Sequence, residues 1–210
     1  MDKHRTAATV VRRLRQHYPD AQCTLDFQEP WQLLVASILS AQCTDARVNL
    51  ITPDLFSRYP TLNSLAQADL ADIERLVRSC GLFRTKARAI LGSATRLVTD
   101  FNGILPPDRE ALMSLPGVGR KIANLLLGDC FGIPAIVVDT HCARISTLIG
   151  LTRQTSPLAV EKDLAEVLPP EDWIAYGHLM VSHGRAICVA RKPDCSGCPL
   201  QDICQYALRR

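Results

Sequence analysis

The chain has 210 residues, 47% of them hydrophobic, with 24 Lys+Arg against 21 Asp+Glu. It can bury enough apolar surface to offset its ordering entropy, which excludes intrinsic disorder. Apolar runs such as Leu33–Ile38 and Ile133–Val138 fall far short of the ~20 residues a spanning helix needs. The start, Met1-Asp2-Lys3-His4-Arg5, leads into a charged amphipathic stretch and not into the apolar core of a secretory signal, so a cytoplasmic protein with no membrane role is expected.

Periodicity predicts helix almost throughout. Trp31–Asn49 carries apolar residues on more than one face, as in a buried helix, with Ser40-Ala41-Gln42 and Thr44-Asp45 offering a stop and a restart. Asp69–Cys80 repeats the helical pattern through Leu70, Ile73, Leu76 and Val77, with Gly81 placed as its C-terminal cap. Arg84–Phe101 follows and ends at Asn102-Gly103. Pro106-Pro107-Asp108 opens a short helix that stops before Pro116, and another starts near Gly119. Further helices run from Asp139-Thr140 to Gly150, from Ser156-Pro157 onward, and over Glu171–Ile187. Ile133–Val138 is either a strand or an extended connector. No strand alternation occurs elsewhere, so the fold class is all-α.

Between 112 and 125, Pro116 closes one helix, while Gly117 and Gly119 let the backbone approach a ligand closely. Their N–H groups merge into the N-terminus of the next helix, which favours an anion such as phosphate. The phosphate-loop and dinucleotide glycine patterns both fail here. Lys121 falls in the first turn of the second helix, beside Arg120. That place weighs against a further positive charge, and a neutral lysine amine is the group that forms Schiff bases with carbonyl carbons. Asp139 reads first as an N-cap of the helix beginning at Thr140.

The chain holds nine cysteines. Cys23, Cys43, Cys80, Cys130 and Cys142 are scattered among apolar neighbours and read as small buried hydrophobes. Cys188, Cys195, Cys198 and Cys204 crowd the terminus in a Cys-x6-Cys-x2-Cys-x5-Cys pattern. Four thiolates suggest tetrahedral zinc or an iron–sulfur cluster, and the single Cys-x2-Cys knuckle is unlike a zinc ribbon. A zinc deaminase is excluded, since no His-x-Glu occurs. Basic residues gather at Arg84–Arg88, Arg120-Lys121 and Arg191-Lys192, although a net charge of +3 is low for a strongly basic nucleic-acid module.

Leu115-Pro116-Gly117-Val118-Gly119-Arg120-Lys121, then Val138-Asp139-Thr140-His141, then the four-cysteine loop resemble the endonuclease III family of DNA glycosylases over about residues 30–206. The resemblance implies two helical domains with the active-site cleft between them. Residues 22–133 would form a six-helix domain containing the helix–hairpin–helix. Residues 1–21 together with 134–210 would form an iron–sulfur domain. It makes Lys121 the catalytic amine and Asp139 the carboxylate that stabilises charge on the sugar. Duplex DNA with damaged bases or abasic sites becomes the partner, contacted by Leu115, Gly117, Val118, Gly119, Arg120, Arg191 and Lys192. Gln42 and Leu82 would fill the gap left by a flipped nucleotide, although Leu82 also reads as an apolar contact after a helix cap. Cys188, Cys195, Cys198 and Cys204 would hold a [4Fe–4S] cluster. The expected activity is glycosylase with AP lyase on oxidised pyrimidines, by a monomer associated with the nucleoid. The competing reading is a non-enzymatic helix–hairpin–helix DNA binder with a redox-sensing cluster.

Overall fold

The computed structural model describes residues 2–209; Met1 and Arg210 lie outside them. Helices dominate, and no strand occurs among the described residues. Residues 132–139 run as an extended connector, which settles the ambiguity at Ile133–Val138. The chain divides into two compact units, one of Thr24–Phe131 and one of Met1–Cys23 with Gly132–Arg210.

The second unit opens with α1 (Lys3–His17), whose N-cap Asp2 accepts from the His4 and Arg5 amides. It resumes with α9 (Thr140–Ile149), α10 (Pro157–Val167) and α11 (Trp173–Ala186). Ser156 caps α10 with Pro157 at its first position, as the sequence predicts. Val10, Leu14, Ile145, Ile149, Leu164, Tyr176 and Met180 build one core, against which Cys188, Cys198 and Cys204 pack from the terminal segment.

Thr24–Phe131 contains α2 (Pro30–Ser40), α3 (Asp45–Arg58), α4 (Leu62–Ala66), α5 (Leu70–Leu76), α6 (Phe83–Asp100), α7 (Arg109–Ser114) and α8 (Arg120–Phe131). Residues Leu33 to Leu39 of α2 are all buried, which is why the apolar pattern there covers every face. Against α2 pack α3, α6 and α8, while α4 and α5 lie on α6. Helix α4 is one turn capped by Thr61, too short for periodicity to reveal.

One boundary differs from expectation. Helix α5 ends at Leu76, and a turn with Cys80 N–H donating to the Val77 carbonyl at 2.9 Å buries both Val77 and Cys80. Gly81 is therefore no helix cap. The left-handed residue is Leu82, with φ 58°, at the entry to α6.

Candidate active site

The hairpin is tied within itself and to α6. Arg109 Nε donates to Asn124 Oδ1 at 3.0 Å, tying α7 to α8. Ser93 Oγ on α6 donates to the Pro116 carbonyl at 2.8 Å, and the Arg96 guanidinium donates to the Ser114 carbonyl. Gly117 has φ 78°, and a Cβ there would stand 2.8 Å from the Ala89 Cβ, so the turn lies directly on α6. Gly119 does not take a positive φ; its carbonyl accepts from Ala123 N–H at 3.0 Å and begins the α8 ladder. Leu115 and Val118 are buried, so they anchor the turn and offer a ligand only backbone. Lys121 is exposed on the first turn of α8, with Arg120 half-buried beside it.

In the other unit, Asp139 Oδ1 accepts from Cys142 N–H at 2.7 Å, so the capping role is real. Burial, with the Asp139 carboxylate adding to it, drives the Cys142 thiol far above its ordinary range and keeps it inert. His141 follows the capping residue by two. Its Nδ1 is buried without a hydrogen-bond partner, and a Cβ on Gly184 would fall 2.2 Å from it. Gly184 is thus needed for the His141 ring to lie against α11, a requirement that no local pattern announces.

The turns after α2 and before α6 carry Gln42 and Leu82. Both side chains are exposed, Leu82 by 60%, and both backbones are left-handed, at 54° and 58°. Most of the Leu82 side chain therefore stands clear of the protein. The basic run Arg84–Arg88 is not uniformly solvated either. Lys86 is buried and donates from Nζ to the Leu39 carbonyl at 2.8 Å, closing the C-terminus of α2. Its register with Ile90, Ser93 and Leu97 on the buried face of α6 was the available signal.

Cys188, Cys195, Cys198 and Cys204 all line one pocket, with Ile145, Leu148, Ile187, Pro193 and Leu200 as apolar walls. No three His, Cys, Asp or Glu side chains among the described residues converge closely enough for a single ion. Four sulfurs spaced around a shared cavity suit a cluster several atoms across. Donors aim at the sulfurs: Arg144 Nη1 at Cys188 Sγ, 3.4 Å, and Leu200 N–H at Cys198 Sγ, 3.4 Å. His183 Nε2 lies 3.5 Å from Cys198 Sγ, and its Nδ1 lies 3.1 Å from the Tyr18 hydroxyl. Burial first, then the fields of His17 and Arg144, lower the His183 pKa to about 4. Asp194 Oδ1 accepts from Ser196 Oγ and Gly197 N–H, and Asp194 N–H donates to the Ile187 carbonyl, closing the loop that exposes Arg191 and Lys192.

Residues 35–170 match the family described as HhH-GPD superfamily base excision DNA repair protein, and 188–204 match the iron–sulfur binding domain of endonuclease III. The chain belongs to the HhH-GPD superfamily. Endonuclease III of Synechocystis sp. is 48% identical over 206 residues, covering 98% of this chain and 94% of the relative. The Escherichia coli endonuclease III is 37% identical over 197 residues, 94% and 93% of the two chains. A solved endonuclease III held as a trapped covalent intermediate with DNA superposes with a TM-score of 0.94 at 42% identity, over 100% of this chain and 99% of that one. A thermostable thymine-DNA glycosylase shares the fold, with a TM-score of 0.83 at 21% identity over 99% and 98%. Within the superfamily, then, this is a member of the endonuclease III family. It is a base-excision DNA glycosylase with AP lyase activity, and its cofactor is a [4Fe–4S] cluster. The non-enzymatic alternative is not favoured. No helix among the described residues is long and apolar enough to cross a membrane.

Proposed function

We propose that the chain excises oxidised pyrimidines from duplex DNA and nicks the resulting abasic strand, with Lys121 as the attacking amine. The observation that carries this is the exposed Lys121 on the first turn of α8, behind a hairpin pinned to α6. The hairpin backbone at Gly117 and Gly119, with Arg120 beside it, takes a DNA phosphate, since the dipole of α8 favours an anion at its N-terminus. Lys121 Nζ attacks the anomeric carbon as the bond to the base breaks, and the amine's surplus proton departs to solvent. The opened sugar is held as an imine. Loss of a proton from the adjacent carbon expels the 3′ phosphate, and water then releases the lysine. Asp139 stabilises the positive charge that develops on the sugar.

Gln42 and Leu82 occupy the space of the extruded nucleotide. Arg191 and Lys192 add sequence-independent phosphate contacts. Cys188, Cys195, Cys198 and Cys204 hold the cluster, which braces the loop that presents those two cations. The enzyme works as a monomer on nucleoid DNA in the cytoplasm.

The test uses borohydride trapping on duplexes that each carry one lesion. The wild type gives a covalent adduct with oxidised pyrimidines, whereas Lys121→Ala gives none yet still binds an abasic-site analogue. An adduct that persists in Lys121→Ala assigns the amine elsewhere.

A further inference from the structure

Two cysteines outside the cluster have no part in this chemistry, and they stand on the two turns that carry Gln42 and Leu82. Cys43 Sγ lies 3.7 Å from Cys80 Sγ, although the residues are 37 positions apart. The turns adjoin there, since a Cβ on Gly81 would stand 4.0 Å from the Gln42 carbonyl. Among the described residues three non-glycine residues are left-handed, Gln42, Leu82 and Asn102, and two of them flank this sulfur pair. Cys43 is half-exposed and Cys80 is fully buried. Each is secured locally by one turn hydrogen bond, Cys43 N–H to the Ser40 carbonyl at 3.0 Å and Cys80 N–H to the Val77 carbonyl at 2.9 Å. Neither lies inside a helix, so closing 3.7 Å to the ~2.05 Å of a disulfide asks turns, not helices, to yield.

We propose that Cys43 and Cys80 form an oxidisable dithiol, which a peroxide converts to a disulfide that staples the two turns together. Peroxide oxygen first transfers to the Cys43 sulfur, giving a sulfenic acid and one water. The Cys80 sulfur then displaces the hydroxyl, forming the S–S bond and releasing a second water that carries the remaining thiol proton. Two thiols and one peroxide thus become one disulfide and two waters. Exposure sets the order. Burial, and then Cys43 itself, push the Cys80 thiol up to about 11 against the weaker pull of Lys86 and Arg47, so Cys80 rests protonated and serves as the resolving partner.

The effect on DNA rests on the reading of Gln42 and Leu82 as the residues that fill the duplex. Drawing the sulfurs together displaces both tips by an appreciable fraction of an ångström, and catalytic geometry tolerates such displacements poorly.

The test exposes the cluster-loaded enzyme to hydrogen peroxide at a level that leaves the cluster's visible absorbance unchanged. Free thiols are then alkylated and the peptides mapped by mass spectrometry. The expected result is the Cys43 and Cys80 peptides joined, lighter by two hydrogens, and reopened by dithiothreitol. Finding both cysteines alkylated and unlinked, or either one linked to another cysteine, overturns the dithiol. In parallel, affinity for a duplex carrying an abasic-site analogue falls on the order of tenfold in the oxidised enzyme and recovers on reduction, while Cys43→Ser and Cys80→Ala are indifferent to peroxide. Linkage with unchanged affinity upholds the dithiol and overturns the duplex-filling role of Gln42 and Leu82.

Discussion

In the proposed chemistry Asp139 does two jobs with one carboxylate, and a single substitution separates them. Its Oδ1 caps α9 by accepting from Cys142 N–H, a task asparagine performs equally well. Its charge is what a cationic sugar requires, and asparagine has none. Asp139→Asn is therefore expected to unfold at the wild-type temperature while single-turnover base excision falls on the order of a hundredfold. Asp139→Ala loses the cap as well, at about 1 kcal/mol. If calorimetry finds both variants equally destabilised and excision unaffected in Asp139→Asn, the residue is a cap only. The place of Lys121 on the first turn of α8, the Asp139 cap and the grouping of the four terminal cysteines on one pocket were legible in the sequence because each follows from a local pattern. His183, Arg144 and Gly184 were not, since what they do depends on a sulfur or a ring brought to them by tertiary packing. Cys43 and Cys80 read as inert hydrophobes for the same reason: no local pattern relates residues 37 positions apart.

At the scale of elements, the hairpin is as good as its seat on α6. An alanine at Gly117 meets both a left-handed backbone and the Ala89 Cβ at 2.8 Å. The backbone alone costs about 1–2 kcal/mol, and overlap adds to it. Gly117→Ala is expected to lower the melting temperature and weaken duplex binding, whereas Gly119→Ala, with nothing within 4 Å and an ordinary φ, spares stability. Equal melting losses in the two variants would contradict this asymmetry. A second tie joins α3 to α5. Asp72 accepts from the Tyr59 hydroxyl at 2.6 Å, from Arg58 Nε at 3.0 Å and from Arg75, and these donors, Tyr59 foremost, hold its carboxyl well below the usual range. Because the folded-state pKa is depressed, the stability it contributes is present above the unfolded pKa near 3.8 and is lost as pH falls below it. The stability gap between wild type and Asp72→Asn should hold constant from neutrality to about pH 5 and shrink in stronger acid. A gap that widens on acidification has the wrong sign for this account. The long helices were legible because their buried faces repeat. Helix α4 and the early end of α5 escaped because one turn carries no period, and because burying Val77 and Cys80 outweighs continuing the ladder.

At the scale of the whole chain, the described residues after α11 are almost without helix, with a single short turn at Ala207–Arg209 among them. They are held by scattered ties: Arg13 Nη1 to the Pro199 carbonyl at 2.9 Å, the Arg13–Asp202 ion pair, and Tyr206 N–H to the Leu148 carbonyl at 3.0 Å. Such partly exposed contacts contribute little each; Leu200, buried in the core, and Ile203, packed against it, add apolar anchors, and the four cysteines add the restraint of the bound cluster. Three of them pack on the core shared by α1, α9, α10 and α11. Without iron, burial leaves Cys188 and Cys198 as thiols, the latter with its pKa raised to about 11, and neither can hold the loop. Metal binding is then folding energy for that unit. Removal of the cluster, or Cys198→Ser, is expected to raise hydrogen–deuterium exchange across residues 187–209 and in α1 and α11, which frame the Tyr18–His183–Cys198 contacts. Exchange in Leu33–Leu39 and in the buried residues of α6 should stay protected, because that core contains no cluster ligand. Uniform deprotection of both units would mean that the cluster supports the fold as a whole, and unchanged exchange at the terminus would mean that the peptide ties suffice without it.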